Sequence, residues 1–156
     1  MKFGFIDVFD LHMFDAKGNH VTTIESLLES QLHFELQSLR GSNMRLFIKD
    51  TMMDTKLLEF MGRKAEKSDY EKMLGKTSRT ISFGAQKEGT YCKLILSGVG
   101  RELSSGEDFD MTIEIPKVSL KQNLNLKGKS GATSDFDFFF DISTINDKDD
   151  LFHIHY

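Results

Sequence analysis

The chain has 156 residues, 39% of them apolar, with fourteen Phe, one Pro and no Trp. That composition supplies one aromatic and aliphatic core and excludes the Pro-rich or low-complexity tract that would divide two domains. A formal net charge of −4 and an isoelectric point near 5.7 argue against a protein that wraps nucleic acid through a basic face, so adhesive DNA binding is not expected.

Cys92 is the only cysteine, so an intramolecular disulfide and a thiolate metal cluster are ruled out. Its expected place is as a small apolar residue in a strand, in keeping with synthesis in a reducing cytoplasm. The opening run from Met1 to Met13 is interrupted by Asp7, Asp10 and His12. No stretch reaches the roughly 20 apolar residues of a spanning helix, so neither a signal peptide nor membrane insertion is expected.

In chain order, Phe3 to Phe14 predicts a strand, Ala16-Lys17-Gly18-Asn19 a turn, and His20 to Leu28 the return strand of a hairpin. Leu32 to Leu39 alternates Leu32, Phe34 and Leu36 with His33, Glu35 and Gln37, as a strand with one buried face should. The clearest helix runs from Asp54 to Met61: Asp54 can cap it, Leu57, Leu58 and Met61 share a face, and Gly62 comes next as a stop. Gly62 to Lys76 lacks a period and predicts a long polar loop. Strands are then expected at Thr77 to Phe83, Thr90 to Ser97, Phe109 to Leu120, Leu124 to Lys127, Phe136 to Ser143 and Leu151 to Tyr156. The sum is a mainly β domain spanning 1–156, a β-sandwich or partly closed β-barrel with one short flanking α-helix.

Motifs for chemistry fail on inspection. Gly75-Lys76-Thr77 lacks the glycine a phosphate-binding loop needs at position 70, which is Tyr. Gly98, Gly100 and Gly106 are spaced wrongly for a dinucleotide site and are expected to be turn glycines. His153 and His155 fall on one side of a strand but lack a third metal ligand, so they are expected to face solvent. Asp147, Asp149 and Asp150 lack the glycine and terminal Glu of a calcium loop. The expectation is a non-enzyme with no cofactor and no metal.

Two strands carry an unusual face. Opposite Phe109, Met111, Ile113 and Ile115 lie Asp110, Thr112 and Glu114; opposite Phe136, Phe138, Phe140 and Ile142 lie Asp137, Phe139 and Asp141. Aligned acids repel, so an ordinary sheet would intersperse Lys among them. The face is read either as a solvated surface or as the wall of a channel.

Three stretches resemble the tail-tube proteins of contractile-tailed bacteriophages. Leu36 to Asn43 is similar to that family's Arg-Gly-Gly turn after an extended strand, with Ser42 in place of the second glycine. Ile48 to Gly62 resembles the polar-aliphatic lead into a short helix stopping at glycine. Asp108 to Val118, then Leu124-Asn125-Leu126, then Gly131 to Asp141, is similar to the closing strand with Ile-Pro-Lys, its hairpin and a Phe-rich last strand. The resemblance implies a structural virion protein, made in the host cytoplasm and carried in the phage tail. Its copies would close into rings, six to a ring in the family, that stack as a conduit for DNA ejection. DNA would pass without specific binding, and sheath, baseplate and tail-terminator proteins would be partners. In that setting Asp110, Glu114, Asp137 and Asp141 are candidates to face the lumen, keeping phosphates from adhering. The Gly62 to Thr80 loop holds Arg63, Lys64, Lys67, Lys72, Lys76 and Arg79 against three acids, and is the candidate for docking between rings. An initiator, connector or baseplate ring of the same fold, or the inner tube of a contractile injection system, would share the pattern. A carbohydrate-binding β-sandwich is the alternative of a different class, disfavoured by the absence of Trp and the presence of only Tyr70, Tyr91 and Tyr156.

Overall fold

A computed structural model describes residues 1–36, 44–52, 54–65, 73, 80–82, 91–127, 135–145 and 150–156, with backbone alone at 7, 36, 63–65, 80–82, 122–127 and 135. The strands are β1 (Phe3–Asp15), β2 (His20–Leu28), β3 (Leu32–Leu36), β4 (Met44–Thr51), β5 (Arg63–Ala65), β6 (Thr80–Ser82), β7 (Cys92–Glu102), β8 (Asp108–Lys127), β9 (Asp135–Ile142) and β10 (His153–His155). A 3-10 turn η1 (Glu29–Gln31) and a helix α1 (Thr55–Met61) complete the described elements. Eight strands form one antiparallel sheet in the order β2-β1-β7-β8-β9-β4-β3, with β10 paired to β8, while β5 and β6 pair separately. The mainly β fold with a single short helix is as the sequence implies.

The 20-residue β8 is the spine. Its first part pairs with β7 from Asp108 to Val118, and its second pairs with β9 from Val118 to Lys127. β10 takes Thr112 to Glu114, on the margin that β9 leaves free. The sequence expects two strands here, Phe109 to Leu120 and Leu124 to Lys127. The chain runs through as one strand, and the expected break survives as a slip of register on β9: Lys121 faces Phe139 and Asn125 faces Asp137, so four steps of β8 match two of β9. A bulge changes the phase earlier, where Cys92 and Leu94 of β7 face Val118 and Ile115, so three steps of β8 match two of β7. Met111, Ile113 and Ile115 therefore point inward before Pro116, and Val118 and Leu120 do so after Lys117.

Only three residues separate the last rung of β2 on β1 (Val8 with Leu28) from the first rung of β3 on β4 (Leu32 with Ile48). The two margins of the sheet are drawn together through η1, where the Gln31 side chain donates to the Lys49 and Asp50 carbonyls at 3.1 and 2.9 Å. No ladder closes the sheet: among the described residues β2 pairs only with β1 and β3 only with β4. The helix covers the inner side of this seam. Asp54 accepts from the Lys56 and Leu57 amides and from the Thr22 hydroxyl, while Leu57 and Met61 enter the core. Gly62 ends the helix with an ordinary negative φ, its N–H closing the last turn on Leu58.

The core is the inward face: Leu46, Ile48, Leu94, Ile115, Val118 and Phe140 are wholly buried. Several expectations are corrected. Met44–Thr51 is a strand, although its Lys49 and Asp50 disguise the alternation; β9 and β3 on either side hold it extended. Gly62 to Lys76 is not all loop, since Arg63–Ala65 pairs with Thr80–Ser82. Strand β7 continues past Ser97 to Glu102, so Gly98 and Gly100 are strand residues; only Gly106, at φ +75, sits in the turn. They are glycines because aromatic rings lie over them: a Cβ on Gly98 would stand 2.7 Å from Cδ1 of Phe9, and one on Gly100 2.5 Å from Cζ of Phe109.

Gly98→Ala tests this packing. With Phe9 only 5% exposed, its ring has little room to yield, and overpacking of this kind costs about 1–3 kcal/mol. Chemical denaturation is expected to show that loss with an unchanged slope.

Candidate functional site

Across the rungs, His33, Phe47, Phe139 and Lys121 form one row of the face opposite the core, over β3, β4, β9 and β8, and Glu35, Arg45, Asp141 and Ser119 form the next. On the other half, Thr23, His12, Ile95, Glu114 and His153 succeed one another from β2 to β10. Asp10, Ser97, Thr112 and His155 make the row beside it. Asp110 comes after them, opposite Val99.

All four lumen candidates lie on this one outward face, yet the expected uncompensated acidity is corrected. Glu114 meets the Lys93 ammonium at 2.5 Å and the His155 ring at 3.3 Å. Asp141 accepts from Arg45 Nε at 2.8 Å and lies 3.3 Å from Lys121. Asp137 accepts the Asp50 amide at 3.0 Å. Asp110 is exposed and forms no ion pair among the described residues. The cations are interspersed as a stable sheet requires, but they come from β4, β7 and a later stretch of β8 that periodicity within one strand does not connect. Arg45 also covers the Phe139 ring, 4.9 Å from its centroid.

Asp137 has a structural task with a counterpart elsewhere. In β2 a bulge gives Ser26 a φ of 58°, and its amide is taken by Asp10 from β1; in β4 a bulge gives Asp50 a φ of 53°, and its amide is taken by Asp137 from β9. In each pair a carboxylate on the neighbouring strand satisfies an N–H that the bulge removes from the ladder. The two bulges face each other across an open groove of about 540 Å³ at the seam, with Glu25, Gln31 and Asp54 also on its walls.

His153 and His155 point outward as expected, with Ile154 toward the inner side opposite Ile113. No cluster of three or more His, Cys, Asp or Glu suited to a metal occurs among the described residues. Among the same residues no helix is long and apolar enough to cross a membrane. Arg63 and Lys64 begin β5; Lys67, Lys72, Lys76 and Arg79 lie outside the described residues, as do Asp147 and Asp149. Cys92 is buried at the start of β7, where desolvation pushes its thiol up to about 12. Sequence reading overlooked a group of exposed apolar residues at one end: Phe3, Phe5 and Leu103 with Ile154 and Tyr156, Phe3 packing on Phe109 and Tyr156 at 5.6 and 6.0 Å between centroids. The signal was present in the odd-numbered Phe3, Phe5 and Phe9.

No protein-family model matches the chain, and no curated protein matches it.

Asp54→Ala removes the helix cap and the tie to Thr22, for an expected loss of about 1–2 kcal/mol in thermal or chemical unfolding. A second expectation concerns pH. The hydrogen bond from Lys93 holds the Glu114 carboxyl below its ordinary 4.5. A group lowered on folding stabilises above its unfolded value and loses that contribution as pH falls through the folded one. The Lys93–Glu114 pair should therefore be at full strength above pH 4.5 and fade below it. A carboxyl NMR titration of Lys93→Gln should show Glu114 moving up toward an ordinary glutamate; an unmoved titration would refute the assignment.

Proposed function

We propose that this chain is a structural, self-assembling subunit, a tail-tube protein of the contractile-tailed phage type, whose copies complete each other's sheets in a ring and stack into a conduit for DNA. The observation that carries the reading is the open eight-stranded sheet, whose outer strands β2 and β3 each pair on one side only among the described residues. Exposed edges invite pairing with another chain, and a closed ring satisfies all of them at once. The exposed apolar end around Phe3, Phe5 and Tyr156 is further surface that stacking would cover. On this reading the outward face lines the lumen. Its ion pairs leave phosphates no bare run of cations at neutral pH, so the wall is non-adhesive through balance rather than through unrelieved negative charge. No catalytic role belongs to the proposal. Initiator, connector and baseplate rings, and the inner tube of an injection system, would use the same open sheet.

Negative-stain electron microscopy of concentrated purified protein is the test. Rings or stacked tubes are expected; a particle that stays monomeric at every concentration would overturn the proposal.

A further inference from the structure

Three strands reach past the rest of the sheet at one end. The last rung of β2 on β1 is Val8 with Leu28, and the last rung of β10 on β8 is His155 with Thr112. Beyond them residues 3–6 of β1, 99–102 of β7 and 108–111 of β8 continue as a ribbon, with Gly4, Arg101 and Asp108 in one row and Phe5, Gly100 and Phe109 in the next. Among the described residues nothing pairs with the outer margin of 3–6 or with that of 108–111. The two margins match in length, about 13 Å each at 3.3 Å per residue.

Bare strand margins are templates for pairing with another chain. The two here differ in charge, and that decides what each can accept. Asp108 and Asp110 stand on the outward side of the β8 margin, with Glu107 just before them, and Asp110 is exposed. Laid antiparallel against a second copy of itself with matching faces, this margin would bring Asp108 opposite Asp110 twice over, and like charges directly opposite are destabilising. Residues 3–6 carry no charge, lie between Lys2 and Asp7, and turn Gly4 and Ile6 outward. The β1 margin therefore accepts the acidic one, which the acidic one does not do for itself.

Strands β1 and β8 are both antiparallel to β7 and so run parallel to each other. In a head-to-tail repeat, β8 of one copy meets β1 of the next in that same sense, and one kind of contact fills both margins. Two-fold pairing of β1 on β1 would leave the β8 margin bare. With the rows carried straight across, Asp108 falls beside the next copy's Gly4 and diagonal to its Lys2, within reach of that long side chain. Phe109 falls beside the next copy's Phe5, so the aromatic underside continues from copy to copy. We infer that residues 108–111 of β8 bind residues 3–6 of β1 in a second copy, as a parallel strand pair. This contact rests on the assembly proposed above and lies apart from the β2 and β3 edges.

Gly4→Asp and Gly4→Lys test it, because a Cβ at Gly4 meets nothing within 4 Å. Within its own copy position 4 faces Arg101, so an Asp there suits the monomer and a Lys there sets two cations opposite each other. Across the contact the preference reverses, since the neighbour offers Asp108. In sedimentation velocity at low ionic strength, G4D is expected to weaken self-association at least about tenfold, while G4K associates as tightly as the wild type or more tightly. A damaged monomer would not produce that order. Equal weakening by both variants would assign the contact to β1 on β1, with Gly4 facing its own counterpart. A greater loss in G4K, or no change in either variant of a protein that still forms rings, would place the contact elsewhere. Each of these results overturns the inference and leaves assembly standing. A wild-type chain that sediments as a monomer at every concentration would overturn the assembly proposal and this contact with it.

Discussion

The fold depends on the alternation along β8 and on the bulge at which its inward phase changes. A strand of 20 residues cannot keep one face on a curled core without an adjustment of phase. The bulge at Pro116 and Lys117 supplies it, and with it β8 serves β7 on one margin and β10 and β9 on the other. Pro116 fits there because a bulge is one of the few positions in a sheet that does not ask for its missing N–H. The core rows on one side and the charged rows on the other are both consequences of that register.

What could be read from the sequence was whatever is encoded locally. The β1–β2 hairpin was legible because Asp15 takes the Lys17 and Asn19 amides and Gly18 adopts φ +85. The helix was legible because the Asp54 carboxylate reaches amides only two and three residues further along its own chain. Strand β4 was missed because its hydrophobic period is cut short by Lys49 and Asp50, and its extended form is imposed by β3 and β9. Gly98 and Gly100 were misread for a related reason: the rings that demand them, Phe9 and Phe109, come from strands before and after β7. The four acids were correctly placed on one face. Their partners, Arg45, Lys93 and Lys121, were not, since cross-strand pairing is invisible until the strand order is known.

The outward face is thus a mixed ladder in which three of those four acids, all but Asp110, are held by a neighbour. Such partly exposed pairs contribute little each, on the order of 0–1 kcal/mol, so their larger effect is on register and on the field the surface presents. Behind that face, the buried positions among the described residues are apolar but for Thr22 and Thr51.

The pairing of early strands with late ones also governs how the molecule comes into being. Residues that touch across β1 and β7, such as His12 and Ser97, are 85 positions apart, and Arg45 and Asp141 of β4 and β9 are 96 apart. During synthesis the first hairpin must therefore wait, one flank bare, until most of the polypeptide has been made. Contacts so distant close slowly. The polar Asp10 and His12 on that waiting hairpin keep it from being a wholly apolar target for premature association in the meantime.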